Sequence, residues 1–276
     1  MTKISILGCG WLGFPLAKAM IAKGFSISGS TTSTEKVSIL EESGINPFLI
    51  NINLNEVSLP VGKSTSLEIE SFLNESSILI IDIPPKLRGD NADSFVDKIA
   101  YLIPIIEKST IEKVLFISST SVYGENNLLV TEETKPNADS ESGKQLIITE
   151  SLLLNNINFK TTILRFGGLI GKDRNPIKFL AGKENIENPG APINFIHLED
   201  CIGIIIQIIE SNSWDQTYNA VAPFHPSREE YYTQKAKELN LPLPKFNHKK
   251  ESTKKIISSA KIENVLHYSF KKVQRL

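Results

Sequence analysis

The sequence has only two cysteines in 276 residues, no excess of either charge and no long apolar run. Cys9 and Cys201 lie far apart in apolar surroundings, which excludes a disulfide framework or a cysteine metal knuckle and fits a reducing compartment. No metal is expected. Thirty Lys plus Arg against 31 Asp plus Glu leave a formal charge of -1, so there is no global basic field to neutralise a phosphate backbone, and no nucleic-acid partner is expected. The most apolar segment, Cys201 to Ile209, is far short of the roughly 20 residues that span a bilayer and reads as a helix buried on all sides. Met1 leads through Lys3 into a strand-like run without the charged start and apolar stretch of a signal peptide, so the expected location is cytoplasmic, with no membrane partner.

What is present is the composition of an ordinary folded chain: 41% hydrophobic, 22% charged and 8% aromatic. The first half alternates short apolar runs with amphipathic stretches. Strands are expected at Lys3 to Leu7, Phe25 to Gly29, Pro47 to Asn51, Ser77 to Ile83, Lys113 to Ser118 and Lys160 to Arg165. Helices are expected at Trp11 to Lys23, Ser33 to Ser43, Asp93 to Lys108 and Lys144 to Asn155. Runs such as SILII and VLFI are apolar throughout, as parallel strands covered on both faces must be. The fold class is therefore α/β, a doubly wound parallel sheet with a smaller C-terminal lobe. Its ligand site lies beyond the carboxyl ends of the strands. The expected division is a nucleotide-binding domain over 1–165, completed by 194–210, and a lobe from 166–193 and 211–276. The lysines at 249, 250, 254 and 255 read as a solvated surface.

Gly8-Cys9-Gly10-Trp11-Leu12-Gly13 directly follows the first strand and opens a helix. Gly8 suits the tight turn, Gly10 the approach of a pyrophosphate, and Gly13 close packing of helix on strand. The helix start adds unpaired amides and a positive dipole end. A tight turn without a ligand is the alternative. The second strand runs out through Ser30, Thr31, Thr32 and Ser33, with no carboxylate before Glu35. A ribose 2'-phosphate would meet hydroxyls and Lys36 there, so NADP is favoured over NAD, although no arginine is present. The same STTSTE stretch also reads as a helix N-cap.

Ser118-Ser119-Thr120-Ser121-Val122-Tyr123-Gly124 resembles the fifth-strand motif of the extended short-chain dehydrogenase/reductases, the family of nucleotide-sugar epimerases and dehydratases. Further matches follow in order: Thr131-Glu132-Glu133 with Pro136, Lys144, Leu164 to Gly171, Asn194 to Asp200, and Lys261 to Phe270. The resemblance covers nearly the whole chain. It implies a Rossmann fold and an NAD(P) cofactor held by Gly8, Gly10, Trp11, Leu12, Gly13, Thr31, Thr32, Lys36, Pro84, Ser118 and Lys144. It also implies a catalytic set of Ser119, which would orient a small-molecule substrate, and Lys144, which would hold the nicotinamide ribose.

The family's catalytic tyrosine, four residues before that lysine, is replaced by Ser140, and no tyrosine lies between Tyr123 and Tyr218. A phenol starts near pKa 10 and a neighbouring cation lowers it; an aliphatic hydroxyl is a far weaker acid. Tyr123 reads as structural, because family members with an intact set carry it too. Glu141 would need burial to serve near neutrality. His197 reads as an architectural group, and Asp200 as a polar contact at a helix start. The pattern resembles the atypical branch of the family. Two functions stay open: an NAD(P)-dependent epimerase, dehydratase or reductase acting on a nucleotide sugar or another small polar substrate, and a non-catalytic NADP(H)-binding sensor or regulatory module.

Overall fold

The computed structural model describes residues 2–53, 60–85, 94–125 and 128–272, with backbone alone for 60–64. Seven strands form one parallel sheet: β1 (Lys3–Leu7), β2 (Ser26–Thr31), β3 (Asn46–Leu49), β4 (Ile78–Ile81), β5 (Lys113–Ser119), β7 (Lys160–Phe166) and β10 (Thr217–Ala220). Their spatial order is β10-β7-β5-β4-β1-β2-β3. The order reverses between β1 and β4, and that switch point opens the crevice where ligands of such sheets bind.

Side chains alternate between the two faces of each strand. Ile4 and Ile6 of β1, with Ile78 and Ile80 of β4, face one core. There they meet Leu16 and Met20 of α1 (Gly13–Ala22), Leu40 of α2 (Glu35–Glu42) and Ile204 of the helix Leu198–Glu210. Leu7, Leu79, Ile81, Val114 and Phe116 face the other. That core is closed by α3 (Pro60–Leu73), α4 (Phe95–Glu107) and α5 (Glu141–Leu154). Burial on both faces explains why these strands are continuously apolar.

Two small parallel ribbons complete the chain. In one, β6 (Leu129–Val130) pairs with β11 (Ile256–Ile257); in the other, β8 (Gly168–Ile170) pairs with β9 (Phe195–His197). The lobe packs Ile170, Ile177 and Ile193 against Tyr231, Tyr232 and Ala236 of α7 (Arg228–Glu238). The helix α8 (Ala260–Val265) precedes the C-terminal segment.

Several expectations change. Thr217–Ala220, assigned to the lobe from sequence, is the seventh strand of the main sheet and pairs with β7. It is short and carries the fully buried Asn219, so it lacks an apolar run such as those of β4 and β5. Helix α3 was not anticipated. The helix Leu198–Glu210, here α6, is not buried on all sides. Cys201, Ile204, Ile205 and Ile208 face the core, whereas Ile202, Gly203, Gln207 and Ile209 are half-buried. The expected cap at the start of α2 is not formed: Thr34 makes no side-chain capping bond, and the Thr31 hydroxyl accepts from the Ser33 amide. Of the helix expected from Asp93, that first residue lies outside the described residues. Among the described residues no helix is long and apolar enough to cross a membrane.

Candidate dinucleotide site

The glycine turn occupies the carboxyl end of β1, beside the switch point. Its three glycines differ. Gly8 has φ of 108°, a conformation that a side chain disfavours, and a Cβ there would strike the Asp82 carbonyl. A Cβ on Gly13 would strike the Gly8 carbonyl and come within 3.1 Å of Asp82 Oδ2. A Cβ on Gly10, in contrast, would meet nothing within 4 Å. The fold requires Gly8 and Gly13 to be bare. It makes no such demand on Gly10, beside which there is open space.

Ser30 holds the turn from below: its hydroxyl accepts from the Gly8 amide at 2.9 Å and its carbonyl from the Cys9 amide at 2.7 Å. The N-cap residue of α1, Leu12, makes no side-chain capping bond, and the Gly13 amide at the helix start faces the Asp82 carboxyl. These features fit the pyrophosphate of a dinucleotide. Leu12 is buried, and Trp11 is half-buried with its indole N–H donating to Asp173 Oδ1 at 2.9 Å. At the end of β2, Thr31 is buried, while Thr32 and Lys36 are exposed, as is Glu35. Pro84, just beyond β4, is exposed.

Sequence reasoning passed over Asp82. It sits at the end of β4 against the turn, and burial pushes its carboxyl up to about 7, opposed by the Gly13 amide. Cys9 above it is pushed up to about 12 by burial first and by Asp82 second, so this thiol is inert. The available signal was a lone acid inside the otherwise apolar run SILIIDI.

The second group of expected residues lies along the ends of β5 and α5. Gly143 lets α5 dock there, since a Cβ would come 2.5 Å from the Ser121 carbonyl and 2.6 Å from Ala138. Ser119 and Ser140 are thereby placed at two neighbouring element ends, and both hydroxyls cap. Ser119 Oγ accepts from the Ser121 amide at 3.1 Å, and Ser140 Oγ accepts from the Gly143 amide at 3.1 Å. Lys144 is exposed, one turn into α5, with no side-chain partner among the described residues. Glu141 is exposed and accepts from Gln145.

Ser118 points the other way. Its hydroxyl donates to Glu150 Oε1 at 2.6 Å, within a buried cluster rather than at the mouth of the crevice. There Glu150 takes the Arg165 guanidinium in two bonds of 3.0 and 2.6 Å, and Arg165 Nη1 donates to the Tyr123 hydroxyl at 2.6 Å. Tyr123 donates to Asn219 Oδ1 at 3.0 Å, and burial raises its phenol further from neutrality. These bonds tie β7 to β10 through the Tyr123 phenol.

His197 caps α6, its Nδ1 accepting from the Glu199 amide at 3.2 Å, with burial lowering its pKa. Asp200 is fully buried and accepts from the Tyr268 hydroxyl and from the amides of Lys271 and Lys272, which anchors the C-terminal segment. A groove of about 510 Å³ lies on the helical layer, lined by Ile103, Ile147, Ile148, Ser151, Leu152, Asn155 and Asn156. None of these side chains ionises, so the groove offers no acid or base. No group of three or more His, Cys, Asp or Glu that could hold a metal is present among the described residues.

No protein-family model matches the sequence. The chain is 33% identical over 271 residues to protein YeeZ of Escherichia coli K12, covering 98% of this chain and 96% of that protein. Its fold is shared by a short-chain dehydrogenase/reductase superfamily protein from Agrobacterium tumefaciens solved with bound NAD. That match has a TM-score of 0.76 at 15% identity and covers 98% and 92% of the two chains. It is also shared by UDP-glucuronic acid 4-epimerase from Bacillus cereus in complex with NAD, with a TM-score of 0.78 at 18% identity over 98% and 94%. The sheet order, the glycine turn and these likenesses define an extended short-chain dehydrogenase/reductase fold. By sequence the chain belongs to one family with protein YeeZ.

Proposed function

We propose that the protein binds a nicotinamide dinucleotide across the switch point, with NADP preferred to NAD, and acts on a nucleotide sugar or another small polar substrate held beneath the C-terminal lobe. The observation that carries this reading is Gly10, the one glycine of the turn whose bareness the fold does not need. The NADP preference rests on the end of β2, where Thr32 and Lys36 are exposed and no acid precedes Glu35. When bound, such a cofactor supplies hydride transfer; the chain's own contribution is binding, orientation and proton handling. Lys144, exposed and unpaired among the described residues, is the group available to a ribose, and Ser119 the hydroxyl available to a substrate once released from its cap. Both residues, and Pro84, are assigned to the site by this reading.

Calorimetric titration with NADPH, NADP, NADH and NAD tests it. Tight binding that depends on the 2'-phosphate is the expected result, and absence of binding by all four would reduce the glycine turn to architecture.

A second reading has its own support. Ser140 caps α5 where the family's phenol would stand, and Tyr123 is locked to Arg165 and Asn219, so no free phenol replaces it. This favours a dinucleotide-binding sensor without turnover. On that reading NADP(H) alters oligomeric state or partner binding, and sedimentation with and without ligand decides it.

A further inference from the structure

Trp11 occupies the middle of the glycine turn, half-buried against the edge of the main core, and its ring is also met by a short segment about 160 positions further along. That segment, Gly171 to Arg174, is a tight turn closed by reciprocal backbone bonds, Gly171 N to Arg174 O at 3.0 Å and Arg174 N to Gly171 O at 3.1 Å. It makes three contacts with the one indole. Asp173 Oδ1 accepts the ring N–H at 2.9 Å. The Arg174 guanidinium lies over the ring, 5.1 Å from its centroid. Gly171 approaches edge-on, and a Cβ there would come 2.9 Å from Trp11 Cζ2. The turn follows β8 and so belongs to the lobe side, whereas Trp11 belongs to the backbone that would face the phosphates.

We propose that the Gly171–Arg174 turn is a latch that clamps Trp11 across the dinucleotide site and slows release of the bound cofactor. The proposal rests on the dinucleotide reading above. Asp173 and Arg174 are exposed, so their contacts are individually weak and reversible, as a latch requires and a structural anchor does not. The indole bond holds the Asp173 carboxyl below its usual range, which keeps the acceptor charged.

Coulomb's law and the latch make opposite statements about Asp173. A carboxylate near bound phosphates repels them, so electrostatics alone predicts that Asp173→Ala binds an anionic dinucleotide more tightly. The latch predicts weaker retention. The experiment is stopped-flow displacement of NADPH by excess NADP from wild type, Asp173→Ala, Asp173→Asn and the Asp173→Ala/Arg174→Ala pair, with thermal melts to confirm folding. About fivefold faster release from Asp173→Ala is expected, the equivalent of one lost net hydrogen bond. The double variant should release faster still, and Asp173→Asn, which keeps the oxygen acceptor, should stay near wild type. Unchanged or slower release from Asp173→Ala, with wild type binding normally, overturns the latch alone. Failure of wild type to bind any of the dinucleotides overturns the underlying reading, and the latch with it.

Discussion

The glycine turn after β1 and the strip formed by Ser119, Ser140 and Lys144 both stand at the carboxyl edge of the sheet, but they spend their polar groups differently. In the turn, Ser30 satisfies the Gly8 and Cys9 amides, and the N-cap residue of α1 makes no side-chain bond. In the strip, each serine hydroxyl already caps its own element, and the nearest phenol belongs to the buried cluster of Glu150 and Arg165. On the proposed reading the first region receives the ligand, while in the second the serine hydroxyls are engaged in caps. The lesson is that a nucleotide fold and the reaction usually run on it are separable, because different side chains maintain them.

The comparison is tested hardest by breaking each region at its firmest point. Arg165 and Glu150 are 6% and 4% exposed, so Glu150→Ala would strand a buried guanidinium beneath the strip. A loss of about 3–5 kcal/mol in urea-unfolding free energy is expected. A variant as stable as wild type would show that the strip does not rest on this pair. In the turn, Gly10→Asp places a charged side chain where nothing in the protein obstructs it. Folding should be untouched by circular dichroism, while dinucleotide affinity falls at least about 100-fold from steric and like-charge exclusion. Undiminished affinity in the folded variant would remove the turn from the binding site.

How much of this was legible beforehand follows the same division. The six strands assigned from the sequence are present with shifts of one or two residues at their ends, and in β4 and β5 burial on both faces leaves the apolar run that made them legible. Backbone crowding enforces Gly8 and Gly13, two of the three glycines that made the turn legible. The seventh strand was not: TYNA is four residues long and pairs at the sheet edge, with Asn219 carrying part of the Tyr123 network. The direction of the Ser118 hydroxyl was not legible for a related reason. Period-two alternation puts neighbours on opposite faces, and the sequence does not say which hydroxyl points to Glu150. The Trp11 contacts depend on two segments 162 residues apart, a separation no local pattern reports.

Asp82 sharpens the contrast through pH. Folded, its carboxyl is raised to about 7 from 3.8, chiefly by burial. Between those values the folded chain therefore holds a proton that the unfolded chain has lost, so stability falls as pH rises through this window and levels off above it. From pH 5 to 8 the fall attributable to this group is about 2–3 kcal/mol, read from urea midpoints across that range. Asp82→Asn should flatten the slope. An unchanged slope would mean that the carboxyl beneath the turn ionises freely, and that the turn is wetter than its packing indicates.

The smallest effect separates a cap from a catalyst. Ser140 Oγ accepts from the Gly143 amide, so Ser140→Ala removes a helix cap and should cost about 1 kcal/mol of stability. If the hydroxyl serves only there, dinucleotide affinity stays at the wild-type value, and any turnover found with a substrate keeps its rate and pH profile. Ser140→Thr should restore the cap and the lost stability together. A fall in turnover much larger than the stability loss, with a shifted pH profile that threonine rescues, would return Ser140 to the chemistry. The strip would then be an active site built on an aliphatic hydroxyl rather than a framework that has given its hydroxyls to its own helices.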